Sequence, residues 1–319
     1  MAAPACTEDE FIALYRKHQS TTVVAKVLGI SRRNVQERRR TIEAKRGIVL
    51  PVLDHRQIYN TAEVSHNNAV YRLRVDDGQV LIGSDIHVWP GVRTTMQRAF
   101  IQFAAKLKPA AVIVNGDVFD GASISRFPSI GWETKPSVRQ ELEAVSDFLG
   151  DLTVAAGAAR RIWPLGNHDA RFESRIAANM PEFAGVKGMH LKDHLPGWEP
   201  CWRCDINDDV VVKHRGVGGE HADWNNALKG GKTMVTGHDH RTGVVPYRDY
   251  TGLRWGVRCG YMGESQLDGQ FVNYMEAAEP NWHPAFVVLT FRNGRLLWPE
   301  LVTKHDDTSV EWRGTVVTV

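Results

Sequence analysis

From Gln79 onward the chain alternates short apolar runs with longer stretches whose apolar residues recur at helical spacing. The runs are VLIGSDIH, AAVIVNGD, RIWPLGNHD, DVVVKHRG and KTMVTGHDH, and in each an apolar stretch is followed by polar residues. Helical patterns fall between them at about 92–107, 137–150, 170–180 and 221–229. Strands alternating with helices predict βαβ units, hence an α/β fold with helices packed on the faces of its sheets. The later stretch AFVVLTFRNGRLLWPELV predicts a hairpin turning at Asn293-Gly294, so part of the sheet is expected to be antiparallel.

The first 48 residues have a different pattern. Thr7 and Glu10 have capping-box spacing, and Phe11, Ile12, Leu14 and Tyr15 follow at helical intervals, predicting a helix to about His18. In STTVVAKVLGISRRNVQERRRTIEAKRG, Ala25, Gly29 and Val35 supply a small crossing residue, a left-handed turn and an apolar anchor. At those positions the stretch resembles helix-turn-helix modules, with Ser31 as N-cap of the recognition helix. The resemblance implies that Arg32, Arg33, Arg38, Arg39 and Arg40 meet the phosphates or base edges of DNA. Arg38 departs from the pattern, standing where such modules place another apolar anchor. A basic three-helix arm for protein contacts is the competing reading. Gly47 and Pro51 end the last helix. The expected division is therefore a small all-α module at 1–48, a linker and lead-in strand at 49–75, and an α/β domain at 76–319.

Charge separates the same two parts. Residues 1–47 hold ten Lys/Arg and five Asp/Glu, a net of +5, whereas the whole chain is only +2, leaving −3 for the remainder. A length of 319 residues, with 43% apolar and 24% charged, suits one large domain with a small appendage. The sequence has no apolar run of about 18 residues and no signal-peptide pattern, so a soluble, cytoplasmic protein without a membrane partner is expected. Cys201 and Cys204 have the C-x-x-C spacing of zinc and redox sites, but no second pair follows. They are expected to be reduced cysteines in a turn or hairpin.

All five strand-like runs finish in residues that bind hard or borderline cations. Asp85 and His87 close the first, Asp117 the second, Asn167 and His168 the third, His214 the fourth, and His238 and His240 the fifth. Ligands gather at the carboxyl ends of strands in α/β sheets, so these distant residues are expected to converge. Oxygen and imidazole donors without thiolates suit manganese, iron or zinc.

The motifs SDIH, GDVFD, GNHD and GHDH, in that order, resemble the signature of calcineurin-like metallophosphoesterases. The resemblance implies a two-sheet mixed β sandwich flanked by helices and two divalent cations, manganese foremost. It implies that Asp85, His87 and His240 hold one cation, that Asn167, His214 and His238 hold the other, and that Asp117 bridges them. Two such ions about 4 Å apart clamp a phosphoryl group and activate a bridging water for in-line attack. The family's GNHD histidine, here His168, would protonate the leaving oxygen, and Asp169 could orient its imidazole.

The fourth motif is irregular. The family shows His followed directly by Gly, whereas this chain reads KHRGVGGEH; His214 ends an apolar run and is chosen over His221, expected at a helix start. Glycines 116, 166 and 237 are expected to let the backbone turn out of its strands. Asp120 is read as a cap rather than a site residue. Arg171 and Arg241 are candidate phosphate contacts, and Trp89, Arg126, Phe127 and Trp132 candidate groove residues. A metal-dependent phosphodiesterase acting on nucleic acid, its DNA held through the N-terminal module, is the expected function. The alternatives are a phosphomonoesterase, a small-molecule phosphodiesterase, or a DNA-binding regulator with an inactive phosphoesterase domain.

Overall fold

The computed structural model describes residues 6–18, 20–50, 68–129, 132–263 and 280–319. The chain divides into two compact units, residues 1–64 and 65–319.

The first unit contains α1 (Glu8–His18), α2 (Thr21–Leu28) and α3 (Arg32–Arg46). Thr7 and Glu10 close a reciprocal cap on α1, the Glu10 carboxylate accepting from the Thr7 N–H at 2.8 Å and the Thr7 hydroxyl from the Glu10 N–H at 3.3 Å. Gly29 adopts φ 64° after α2, and the Ser31 hydroxyl caps α3 by accepting from the Asn34 N–H. Phe11, Tyr15, Val24, Ala25, Val35 and Ile42 form a small apolar core.

Three of the five arginines expected to contact DNA are engaged within this unit. The Arg38 guanidinium lies 5.0 Å from the centre of the Phe11 ring and donates to the Cys6 carbonyl. Arg39 packs over Tyr15 and pairs with Glu43 at 3.5 Å. The apolar stem of Arg38 and its cation–π contact serve where an aliphatic anchor was expected. Arg32, Arg33 and Arg40 are exposed, Arg33 pairing with Glu37 at 3.0 Å.

The second unit is built on strands β1 (Asn68–Leu73), β2 (Gly78–Gly83), β3 (Ala111–Val114), β4 (Arg160–Pro164), β5 (Glu199–Ile206), β6 (Val210–Lys213) and β7 (Thr233–Thr236). It continues with β8 (Thr242–Asp249), β9 (Gly252–Cys259), β10 (Ala285–Arg292), β11 (Arg295–Leu296), β12 (Glu300–Asp306), β13 (Ser309–Trp312) and β14 (Thr315–Thr318). Hydrogen bonds join them in the order β14-β13-β12-β10-β2-β3-β4-β5-β6-β7-β9-β8, with β1 on β5 and β11 on β10. The β2-β3-β4-β5 run is parallel, as is β6-β7-β9, whereas β5-β6 and β10-β2 are antiparallel. This is a mixed α/β architecture, a large mixed sheet flanked by helices.

One core of this unit is made almost wholly of strand residues, including Ile82, Ile113, Ile162, Val212, Val257 and Leu289. Its members come from strands at both ends of the chain of pairings, from β1 and β2 to β9 and β10, so the strands pack against one another through these side chains. The other core lies under helices α4 (Thr95–Leu107) and α5 (Val138–Ala156), where Phe100, Phe103, Phe148 and Leu152 are fully buried. The remaining helices are α6 (Asp169–Asn179) and α7 (Ala222–Gly230). Helix α5 runs through Gly150, beyond the expected end, because Leu152 and Ala156 continue its buried face.

The C-terminal hairpin turns at Asn293 and Gly294, with φ 49° and 73° and Arg292 paired to Arg295, the geometry a two-residue turn requires. Cys201 and Cys204 lie in β5, the first strand of its hairpin with β6, and both are buried. Burial pushes the Cys201 thiol up to about 12, so it stays protonated. Residues 51–67 of the linker lie outside the described residues, while the lead-in strand is β1, parallel to β5. Among the described residues no helix is long and apolar enough to cross a membrane.

Candidate metal centre

The loops leaving β2, β3, β4, β6 and β7 meet at one edge of the sheet. Asp85, His87, Asp117, His238 and His240 all have positive φ, between 42° and 76°, and make up half of the ten non-glycine residues so described. A left-handed backbone in a side-chain-bearing residue costs on the order of 1–2 kcal/mol. Concentrating it here turns consecutive side chains out of their strands toward a common point.

Two groups of ligand-type atoms result. Asp85, His87 and His240 form one and Asp117, His214 and His238 the other, the atoms within each lying no more than 4.8 Å apart. His240 Nε2 is 3.2 Å from Asp85 Oδ1, and His214 Nε2 is 3.1 Å from Asp117 Oδ2 and 4.0 Å from Asp85 Oδ1. The groups therefore abut. A third set, His87, Asp120 and His168, adjoins the first.

The glycines of these motifs have two different roles. Gly116 does need its φ of 84°, and a Cβ there would also strike the His214 ring at 2.4 Å. Gly166 and Gly237 have no positive φ, contrary to the expected sharp turns. They are needed for close approach, because a Cβ would lie 2.0 Å from Asp117 Oδ1 at Gly166 and 1.9 Å from the Ser84 hydroxyl at Gly237.

The hydrogen bonds fix several tautomers. His214 Nδ1 faces the Asn115 carbonyl at 2.8 Å, and a carbonyl only accepts, so Nδ1 carries the proton. Its Nε2 then faces the Asp117 carboxylate at 3.1 Å. His87 Nδ1 likewise donates to Asp120 Oδ1 at 2.9 Å. Imidazoles that ligate metals typically donate the other ring N–H in this way to a carboxylate or a carbonyl.

Electrostatics point in the same direction. Asp85 and Asp117 are buried, and burial alone would raise both, yet the charges of His214 and its neighbours hold both carboxyls below the usual range. Conversely, burial works against a charge on His214, but Asp117 and Asp85 overcome it and raise its pKa to about 10. The carboxylates thus demand a positive charge between them. The Asn167 amide oxygen is also buried without a hydrogen-bond partner. Carboxylate oxygens, imidazole nitrogens and an unpaired amide oxygen gathered in this way fit divalent cations.

His168 is placed by Asp120. Its Nδ1 donates to Asp120 Oδ1 at 2.8 Å, and its Nε2 accepts from Arg171 at 3.1 Å. Burial opposes a charge on this ring, but the Asp120 hydrogen bond and the Asp117 charge prevail and raise its pKa. Asp169, expected to orient His168, is turned elsewhere. Its carboxylate accepts from the backbone N–H groups of Asp117, Val118, Phe119 and Gly166 and from the Trp163 indole, all at 2.9–3.1 Å. It fastens the loop after β3 to the start of α6.

Arg171 also donates to the Asp120 carbonyl at 2.9 Å, which keeps it beside the cluster. Arg241 has no hydrogen bond or ion pair from its guanidinium among the described residues. His221 is exposed at the start of α7 and is not part of the cluster. Three contributors were missed or discounted in sequence. Asp120 binds both His87 and His168, while Tyr261 stacks on His240 with ring centres 4.7 Å apart and Trp282 meets it edge-on at 4.4 Å. Only Asp120 carried a signal, its place three residues after Asp117 in GDVFD.

Several known proteins are similar to this chain. Two phage proteins are similar over 237 residues, 64% of this chain and 86% of each relative: the gene 54 proteins of Mycobacterium phage L5, 25% identical, and Mycobacterium phage D29, 26% identical. Among solved structures, zinc-complexed Vps29 from Entamoeba histolytica aligns with 75% of this chain and 98% of its own at 15% identity and a TM-score of 0.39. The Escherichia coli phosphoesterase YfcE aligns with 69% of this chain and 97% of its own at 13% identity and a TM-score of 0.33. A family model described as calcineurin-like phosphoesterase matches residues 78–252, more than half of the 319 residues and the span that carries every motif at the cluster. With that match across the strands that supply the cluster, the chain belongs to the calcineurin-like phosphoesterases and is a metal-dependent phosphoester hydrolase.

Proposed function

We propose that this protein hydrolyses phosphodiester bonds of nucleic acid at a centre holding two divalent cations. The observation that carries the reading is the approach of the two groups, His214 Nε2 of one lying 4.0 Å from Asp85 Oδ1 of the other. Two groups this close serve one phosphoryl group together. Asp85, His87 and His240 would hold one cation, and Asn167, His214 and His238 the other, with Asp117 shared. Such a pair, manganese by preference, supplies Lewis-acid activation of water and of the phosphoryl oxygens.

The protein's own residues do the rest. Asp120 holds His168 by Nδ1, which leaves Nε2 as the atom that handles the leaving-group proton. Arg171 occupies Nε2 in this arrangement, so protonation there requires its guanidinium to move off. An arriving phosphate offers it the stronger, charge-assisted partner. Ser84 donates to Asp85 at 2.7 Å, and the His238 N–H also binds that carboxylate, fixing its direction.

Nucleic acid is the substrate class favoured by the N-terminal unit. Exposed Arg32, Arg33 and Arg40 on α3 and a net +5 over residues 1–47 suit a polyanion. Manganese-loaded protein should hydrolyse a phosphodiester reporter and DNA in preference to a phosphomonoester, and Asp117→Ala should abolish both. Hydrolysis of the monoester alone would overturn the nucleic-acid reading.

A further inference from the structure

A cleft of about 560 Å³ opens beside the cluster. Asn167 and His238 line it at the cluster end, and Arg126, Phe127, Arg175 and Arg215 line it beyond, together with Arg171. No aspartate or glutamate is among its lining residues. Arg171 and Arg175 are one helical turn apart on α6, so they present their side chains to the same side.

Several arginines elsewhere in the protein are held by counter-charges. Arg139, Arg254, Arg258 and Arg313 are each paired with a carboxylate at 2.5–2.9 Å. Arg126, Arg175 and Arg215 have no carboxylate within ion-pair distance among the described residues. Like charges gathered without counter-charge repel one another, and an anion in the cleft relieves that repulsion. Phe127 adds an apolar face, 62% exposed, with the Arg126 guanidinium 5.1 Å from its ring centre. Exposed aromatics beside arginines are the platforms on which unpaired bases stack.

On the reading that the substrate is a polynucleotide, we propose that this cleft receives an unpaired strand. Arg126, Arg175 and Arg215 hold the phosphates flanking the scissile one, and Phe127 stacks a neighbouring base. The volume selects for single strands, since a cleft of this size holds about one or two nucleotides rather than a duplex. The enzyme thus acts on single-stranded segments or frayed ends.

The test uses the full-length, manganese-loaded protein and its Arg126→Ala/Arg175→Ala/Arg215→Ala variant, with a labelled single-stranded oligonucleotide, the matching duplex and bis(p-nitrophenyl) phosphate. The variant should lose at least about tenfold more kcat/KM on the oligonucleotide than on the small diester, which has no flanking phosphates. Phe127→Ala should weaken oligonucleotide binding at least about fivefold. In metal-free protein, the slope of log affinity against log salt should flatten by about 2, since each lost single-strand phosphate contact removes about 0.7. Equal losses on both substrates, an unchanged salt slope, or duplex cleaved as fast as single strand would overturn the proposal. Absence of nucleic-acid cleavage with arginine-dependent binding intact would remove the hydrolytic reading and leave the cleft assignment standing.

Discussion

Asp120 and His168 form the closest carboxylate–imidazole pair at the cluster, Oδ1 to Nδ1 at 2.8 Å, and the same oxygen receives His87 Nδ1 at 2.9 Å. One carboxylate thereby sets the orientation of two imidazoles with different duties. His87 belongs to a group of ligand-type atoms, and His168 is the residue proposed to protonate the leaving oxygen.

Replacing Asp120 should therefore affect catalysis through His168. Asp120→Asn should lower kcat by about 100-fold, the scale of a disabled general acid. Because the Asp120 hydrogen bond and charge help raise the His168 pKa, their loss lets the ring deprotonate at lower pH. The alkaline limb of the rate profile should move down accordingly. A pH–rate profile of the variant checks this, and an unshifted limb would mean that Asp120 does not act through His168.

Asp169 carries the opposite expectation. Its five donors are all backbone or indole N–H groups of the loops it joins, so Asp169→Ala should destabilise the fold by about 3 kcal/mol or more. Denaturant unfolding of the variant measures it. A loss of activity at full stability would restore Asp169 to a direct catalytic role.

His214 and His221 separate in the structure, the first buried at the cluster and the second exposed at the start of α7. His214→Ala should reduce manganese binding and activity by at least about 100-fold, and His221→Ala should leave both within about twofold. Metal titration of the two variants reads the difference directly. Equal behaviour would contradict the assignment.

Glu141 gives a pH signature of stability. Its buried carboxylate accepts from the Gly121 and Ala122 N–H groups, yet burial and the charge of Asp120 push its pKa up to about 7 from 4.5. The folded state holds this proton more tightly than the unfolded chain does. The stability it contributes is complete below pH 4.5 and is lost as the pH rises through about 7. The Tm of Glu141→Gln relative to wild type should therefore rise between about pH 5 and pH 8. A constant difference would show that Glu141 titrates normally.

The five strand ends were legible because each puts an Asp, Asn or His directly after a run of buried apolar residues. Positions 85, 87, 117, 214, 238 and 240 follow that rule and come together. Strand β5 was not legible, since Trp202 and Arg203 interrupt its apolar pattern and its cysteines read as a possible zinc or redox pair. Asp120 was undervalued because a carboxylate three residues after a ligand also fits a helix cap. The roles of Gly166 and Gly237 depend on approach distances across the sheet, which no local pattern encodes. The cleft gathers Arg126, Arg175 and Arg215 from three separate segments, and each alone reads as an ordinary solvated charge.

The most direct test of the central claim is the number of manganese ions bound per chain, measured by equilibrium dialysis for wild type and for Asp117→Ala. The account predicts two ions bound to the wild type and no more than one to the variant, since Asp117 is the residue proposed to be shared by the two ions. A wild type that binds no manganese, or a variant that still binds two, would contradict it.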